Sequence, residues 1–315
     1  VNYEYALGAG RSSGRHRTRA PHIFTDIQAN TDTVELEDRR SGARREITLL
    51  VEYRVVRQHL LAIVRKYLAV MQQLKLLSYN IQAGIYTRQY SEYVTSGWKH
   101  LLPHRERLFN LTRIAAMLRD FDLVGLQEVD AGSLRSGFID QVEYLAYEAH
   151  FPFWYRQINR NLGKLAQHSN GMLSRVRPSR IVEHKLPGLP GRGAVMVELD
   201  ASDGGVLAIC ILHLALGWRA RRRQLRHIAE LVVRYPYLVV MGDFNCDSRN
   251  LALRTLVNES GLHGLDSELK TFPSWRPRRN LDHILVADRL RIRDARVIDY
   301  PLSDHLPIAM TLELP

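Results

Sequence analysis

The chain has 315 residues, 45% of them hydrophobic, which is enough to bury a sizeable core in one or two domains and excludes a disordered polyelectrolyte. The 44 Lys and Arg against 33 acids leave a formal charge of +11, which favours encounter with polyanions: nucleic acid, phosphorylated small molecules or an anionic membrane surface. Cys210 and Cys246 fit neither a disulfide framework nor a metal knuckle, no apolar run approaches the roughly 20 residues that span a bilayer, and the first residues lack a signal-peptide run. The expectation is a cytoplasmic monomer with no transmembrane segment.

Residues 1–72 read as a basic N-terminal extension, Arg-rich in "RSSGRHRTRA" and "EDRRSGARRE" and weakly patterned up to about residue 50. Over 50–72 apolar Tyr53, Val56, Leu60, Ile63, Tyr67 and Met71 recur at helical spacing with Arg54, Arg57, Arg65 and Lys66 between them. That spacing describes a basic amphipathic helix, one that either packs on its own domain or lies against an anionic membrane. Met71 stands just before the first strand-like segment, so the extension is expected to be separable from a folded domain at 73–315.

From Leu74 onward strands and helices alternate. "LKLLSY" reads as a strand ending at Asn80, residues 104–119 as a helix with Leu108, Leu111, Ala115 and Leu118 on one face, and "DLVGLQ" as a strand ending at Glu128. "AVMVEL" and "VLAICIL" follow, the latter ending at His213. A helix over 219–234 and the strand "YLVVM" then lead to Asp243, with Gly242 permitting the turn. Near the C-terminus "LDHILV" begins at Asp282, and Ser303-Asp304-His305 precedes "IAMTLEL".

Six of these strand-like segments therefore carry a ligand-capable or proton-transferring side chain at one end: Asn80, Glu128, His213, Asp243 with Asn245, Asp282, and Asp304 with His305. Any one of them alone is ordinary turn chemistry or a solvated acid. Together they suit a hard cation and a phosphate. Mg²⁺ takes oxygen ligands from one or two carboxylates plus substrate phosphate, and Asn80, Glu128 and Asp304 offer such oxygens. Phosphoester hydrolysis also needs a base for the attacking water, donors on the developing charge and help for the leaving oxygen, roles that two His, two Asp and an Asn can fill. No HExxH, Walker loop, GxGxxG or GxSxG is present.

The ordered motifs "LLSYNIQAG", "DLVGLQEVD", "SNGMLSR", "ILHLAL", "VVMGDFNCDS", "LDHILV" and "LSDHLPI" resemble the endonuclease/exonuclease/phosphatase superfamily, which includes DNase I, apurinic endonucleases, neutral sphingomyelinases and inositol polyphosphate 5-phosphatases. The resemblance covers residues 74–315. It implies a four-layer α-β-β-α sandwich of two mixed sheets and a phosphoesterase dependent on Mg²⁺ or Mn²⁺. It also implies roles: Asn80 and Glu128 as the metal-binding pair with Asp304 near the metal, and Asp243 as the residue that positions or deprotonates water. Asn245 would donate to a phosphate oxygen, and His305 would be the catalytic histidine oriented by Asp282. His213 occupies a position that DNase I-like and sphingomyelinase-like members fill with histidine and apurinic endonucleases do not. Asn170, in Ser169-Asn170-Gly171, stands where the family usually has Gly-Asn-Ala, and His283 replaces the more usual Tyr or Arg. "TFPSWRP", residues 271–277, suits either a substrate-side loop exposing Trp275 or a cap on the core.

The substrate stays open. "WRARRRQLRH" places Arg219 and Arg222 just after His213, where they could bind phosphates of nucleic acid, of a phosphorylated lipid or of a small molecule, or simply form a solvated face. The expectation is a phosphodiesterase or phosphatase with nuclease as its commonest label. A phospholipid-headgroup or inositol-phosphate hydrolase comes second, and an inactive phosphate-binding relative third.

Overall fold

The computed structural model describes residues 34–37, 44–47, 73–87, 89, 91, 105–163, 165–188, 190–201, 204–264 and 269–314. Residues 1–64 and 65–315 form two separate units. In the first, strands β1 (Val34–Glu37) and β2 (Arg44–Ile47) form an antiparallel ribbon with Val34 opposite Ile47 and Glu37 opposite Arg44. The weak patterning of this stretch gives no sign of that pairing. The amphipathic helix expected over 50–72 lies outside the described residues.

The second unit holds two six-stranded sheets. One contains β3 (Gln73–Asn80), β4 (Leu123–Asp130), β5 (Phe153–Asn161), β6 (Gln167–Ser174), β13 (Arg291–Val297) and β14 (Ile308–Glu313), in the order β13-β14-β3-β4-β6-β5. The other contains β7 (Arg180–Lys185), β8 (Gly193–Asp200), β9 (Val206–His213), β10 (Tyr237–Asp243), β11 (Leu262–Gly264) and β12 (Asp282–Ala287), in the order β11-β12-β10-β9-β8-β7. Each sheet is mixed. Its single parallel pair, β3 with β4 or β9 with β10, needs a crossover, and a helix supplies it: α1 (Arg105–Leu118) in the first sheet and α3 (Trp218–Val232) in the second. Two shorter helices, α2 (Gln141–Ala149) and α4 (Leu251–Glu259), are started by Asp140 and Asn250, whose side chains accept two backbone N–H groups each.

Apolar residues on both faces of the central strands set the layers. In β9, Ile209 and Ile211 point to the space between the sheets, where they meet Met241, Val239, Ile284, Leu76, Leu123 and Met172. The alternating Ala208, Cys210 and Leu212 point outward against Leu225, Ile228 and Val232 of α3 and Leu253 and Leu256 of α4. On the other sheet Leu77, Tyr79, Val124 and Leu126 receive Leu111, Ile114 and Leu118 of α1 and Val142 and Leu145 of α2. The result is the expected helix-sheet-sheet-helix sandwich. Strands covered on both faces read as continuous apolar runs, which is why β3, β4, β9 and β10 stand out in the sequence. Among the described residues no helix is long and apolar enough to cross a membrane. Cys210 and Cys246 are both buried free thiols.

Candidate active site

Three site residues come from neighbouring strands in register. Asp243, the last residue of β10, is paired with His213 at the end of parallel β9 and with Asp282 at the start of antiparallel β12. One row across the sheet therefore carries Asp243 flanked by an acid, Asp282, on one side and an imidazole, His213, on the other. Gly242 makes this junction possible, because its φ is +148° and a Cβ there would lie 1.9 Å from the Leu212 carbonyl oxygen. Past the strand, Asn245 adopts a left-handed conformation (φ +53°) and its backbone N–H donates to Asp243 Oδ1 at 2.8 Å. The Asn245 side chain donates to the Leu214 carbonyl at 2.9 Å, which fixes the loop.

The facing sheet brings Asn80 and Glu128. Asn80 ends β3, donates from Nδ2 to Asp243 Oδ2 at 3.1 Å, and accepts the Gln82 backbone N–H at Oδ1. Glu128 sits in a β-bulge. Leu126 pairs with Gly171 but Val129 pairs with Ser169, so β4 carries one extra residue, and Glu128 takes φ +55°. The bulge turns the Glu128 side chain outward to 36% exposure while Val129 and Asp130 return to the interior. His213 Nε2 lies between the sheets' acids, 3.4 Å from Asp243 Oδ2 and 3.8 Å from Glu128 Oε1.

The Ser303-Asp304-His305 loop closes the group. His305 Nδ1 contacts Asp282 Oδ2 at 2.7 Å, and its Nε2 lies 3.9 Å from Asp243 Oδ2. Thr271 Oγ1 donates to the same Asp282 oxygen at 2.5 Å, and the Phe272 ring stands 4.9 Å from the His305 ring. Residues 271–275 hold this loop through the Leu306 N–H on the Thr271 carbonyl, the Ser274 N–H on the Asp304 carbonyl and Ser274 Oγ on the Ser303 carbonyl. Trp275 is half-buried, so the "TFPSWRP" stretch braces the histidine loop and does not present an exposed indole. His283 points the opposite way from Asp282. Its Nε2 contacts the Cys246 carbonyl at 2.8 Å and its ring meets Phe244 edge-on.

Burial and charge divide the protonation states. Burial pushes the Asp243 carboxyl up to about 7 despite the nearby His305 and the Asn245 N–H. His305 is buried too, which opposes its charge, but Asp282 and Asp243 outweigh this and hold it well above its ordinary value. Burial, together with the charge of Arg192, holds His213 well below its ordinary value, so this ring is neutral at neutral pH. Glu128, only partly exposed, is raised by the burial of the rest of its side chain and by Asp304, with His305 and Arg192 pulling the other way. Adjacent imidazoles with opposite shifts differ in role: one is a standing cation, the other a neutral donor.

The sequence-expected residues Asn80, Glu128, His213, Asp243, Asn245, Asp282, Asp304 and His305 thus gather at one end of the sandwich. Asn170 is buried alongside and bridges the sheets, donating from Nδ2 to the Gly193 carbonyl at 3.0 Å and to Gln157 Oε1 at 3.4 Å. Arg219 and Arg222 are exposed on α3, where the Arg219 guanidinium lies 5.3 Å over the Trp218 ring. Among the described residues neither has a hydrogen bond or ion pair to the cluster. Several contributors carry no strand-end signal. Thr271 and Gln157 are two. Asp130 is a third, accepting from the Gly132 and Ser133 N–H groups, Ser133 and Ser136 Oγ and Arg135 Nε to shape the loop after Glu128. The run Asp-Ala-Gly-Ser-Leu-Arg-Ser was its available sign. Arg192, whose charge reaches both Glu128 and His213, has no such sign.

Two mixed sheets packed face to face under outer helices form a DNase I-like sandwich, with acids and imidazoles gathered at its strand ends. Residues 77–305 match the Endonuclease/Exonuclease/phosphatase family, and the chain belongs to it. Similar solved structures include an endonuclease/exonuclease/phosphatase from Beutenbergia cavernae (20% identity, TM-score 0.61, 77% of this chain and 72% of that one). A mannosyl-6-phosphatase from Bacteroides thetaiotaomicron is another (17%, 0.57, 77% and 99%), as is the human Nocturnin catalytic domain with bound sulfate (17%, 0.55, 78% and 95%). Comparison with curated proteins gives no match.

Proposed function

We propose that the chain is a divalent-metal-dependent phosphoester hydrolase. The observation that carries this reading is the dry relay from Asp282 through His305 to Asp243, with a neutral His213 on the other side of Asp243. An inactive phosphate-binding relative has no need to keep four buried titratable groups in this alignment.

The donor set fits a hard cation. The atoms of Asp243, Asp282 and His305 lie within 4.8 Å of one another, but Asp282 Oδ2 is already taken up by hydrogen bonds with His305 Nδ1 and Thr271 Oγ1, while His305 Nε2 stands 3.9 Å from Asp243 without a hydrogen bond. Glu128, turned outward by its bulge, is the carboxylate suited to hold Mg²⁺ or Mn²⁺, with Asn80 Oδ1 and Asp304 beside it. Such an ion, when bound, supplies Lewis-acid polarisation of a phosphoryl oxygen. Asp243 accepts the proton of the attacking water as the new O–P bond forms. His305 donates from Nε2 to the negatively charged phosphoryl oxygens, and Asp282 keeps its ring charged and oriented. The neutral His213 and the Asn245 amide add donors, and the departing alkoxide takes up a proton from solvent, to which Asp243 returns the one it accepted.

The test is turnover of plasmid DNA, RNA, sphingomyelin, cardiolipin, inositol phosphates, mannose 6-phosphate and a bis-aryl phosphodiester with Mg²⁺, Mn²⁺ or EDTA. Turnover of at least one ester that EDTA abolishes and metal restores is expected. Undiminished turnover in EDTA would refute the reading.

A further inference from the structure

Beside the site the fold gathers two arginines, Arg160 and Arg192, that among the described residues form no ion pair. The β5–β6 register sets Arg160 opposite His168, and the β4–β6 register sets His168 opposite Asp130. The loop before β8 rests on the Arg160 stem, since a Cβ on Gly191 would lie 3.4 Å from Arg160 Cδ. The next residue, Arg192, is half-buried, and its Nη1 donates to the Gly191 carbonyl at 3.1 Å. Ala194 pairs with Leu212, so Gly193 continues the strand level with His213 and Arg192 one step beyond it. Arg192 thus has His213 on one side and the Gly191–Arg160 contact on the other.

Elsewhere the arginines near sheet edges find carboxylates: Arg135 with Asp130, Arg156 with Asp140, Arg180 with Glu198, Arg293 with Glu313 and Arg296 with Asp294. Among the described residues Arg160 and Arg192 have no such ion pair. Burial, and then the charges of Arg135, Arg160 and Arg192 against the opposing Asp130, push the His168 imidazole down to about 4. The ring is therefore a neutral hydrogen-bonding group. Arg135 adds a buried Nη2 with no hydrogen-bond partner. Like charges held together without a counter-charge cost stability, and an arriving anion removes that cost. Guanidinium groups suit phosphate geometry in particular.

We propose that Arg160 and Arg192, with His168 beside them, form a subsite for a second phosphate of the substrate, so that the preferred substrates are soluble phosphoesters carrying another phosphate on the same molecule. The proposal rests on the hydrolase reading for its biological meaning, but the binding can be measured without turnover. Two measurements on the full chain test it. The first compares thymidine 3′,5′-bisphosphate with thymidine 3′-phosphate by calorimetry in EDTA. The bisphosphate should bind at least about tenfold more tightly, and Arg160→Gln or Arg192→Gln should bring the ratio near unity. The second compares kcat/KM for thymidine 3′-(4-nitrophenyl phosphate) with and without a 5′-phosphate, in Mg²⁺. The phosphorylated probe should lead by about tenfold in the native protein and lose that lead in Arg160→Gln, with melting temperature confirming a folded variant. Equal affinity for the two ligands, or a preference that survives both substitutions, overturns the subsite. A bisphosphate preference without any turnover would sustain the subsite and count against the hydrolase reading instead.

Discussion

His305 Nδ1 and Asp282 Oδ2 stand 2.7 Å apart, both side chains are buried, and Thr271 Oγ1 closes on the same carboxylate oxygen at 2.5 Å. A carboxylate that accepts a ring N–H in a dry setting holds the imidazole in one orientation and stabilises its charged form. The two residues therefore act as one unit. Asp282→Asn should lower turnover while leaving metal affinity nearly unchanged, and His305→Ala should cost at least as much. The double variant should be little worse than either single one. A double-mutant cycle on turnover, with metal titration of each variant, checks this; additive losses would assign Asp282 to the scaffold or the metal.

Glu128 is the acid turned outward by the β4 bulge. Glu128→Gln keeps its shape and removes its charge. Turnover should fall at least about a hundredfold, or about 2.7 kcal/mol of barrier, and the metal concentration for half-maximal activity should rise. Near-native turnover at ordinary metal concentration would show that the cation is held elsewhere.

The buried Asp243 makes stability fall as pH rises. Its folded pKa, about 7, exceeds the ordinary 3.8, so between roughly pH 4 and 7 the folded protein keeps a proton that the unfolded chain has lost. His305 acts in the same direction: its raised folded pKa gives stability that is fully present below 6.5 and lost as pH rises through the folded value. Asp243→Asn removes the first effect and weakens the second. In EDTA the stability of Asp243→Asn relative to the native protein should therefore rise from pH 5 to pH 8, by roughly 2 kcal/mol. Thermal melts at the two pH values measure it, and a flat difference would sink the assignment.

Gly242→Ala combines a left-handed φ with a methyl group 1.9 Å from a backbone oxygen of the neighbouring strand. Neither can relax without moving β9 from β10. The substitution should destabilise the fold by about 3 kcal/mol and remove activity, read by denaturant unfolding and by turnover.

A chain starting at Met71 should fold and keep activity toward soluble esters, because β3 begins at Gln73 and finds its partner in Glu313 within the same unit. A large drop in melting temperature would make the preceding segment part of the core.

The central strands and two of the helices were legible because burial leaves a mark in composition. "VLAICIL" and "YLVVM" are covered on both faces, and the spacings of 104–119 and 219–234 emerge as α1, Arg105–Leu118, and α3, Trp218–Val232. The outer strands were not. β13, "RIRDARV", and β7, "RIVEHK", are edges whose alternating charges discourage pairing with another chain, and such segments look like loops. Most of the site was legible because Asn80, Glu128, His213, Asp243, Asp282 and His305 each end or begin a recognisable strand or motif. Arg160, Arg192 and Thr271 sit on an edge strand and in loops, and only the pairing of β5 with β6 and the packing of the 271–275 segment bring them near.

The extra residue in β4 also sets a phase. Side chains along a strand alternate, and the extra residue lets Leu126 and Val129 face the same core although they stand three apart; deleting Glu128 would leave Val129 two residues after Leu126, on the same face and still opposite Ser169, and would remove only the outward carboxylate. Lengthening the connections between strands leaves this parity intact. Deletion scanning along residues 123–130 should therefore behave like a frameshift written in three dimensions everywhere except at the bulge, where the fold survives and the Glu128 carboxylate is lost, whereas short insertions at exposed Leu162 and Gly163 leave the strand ends where they are.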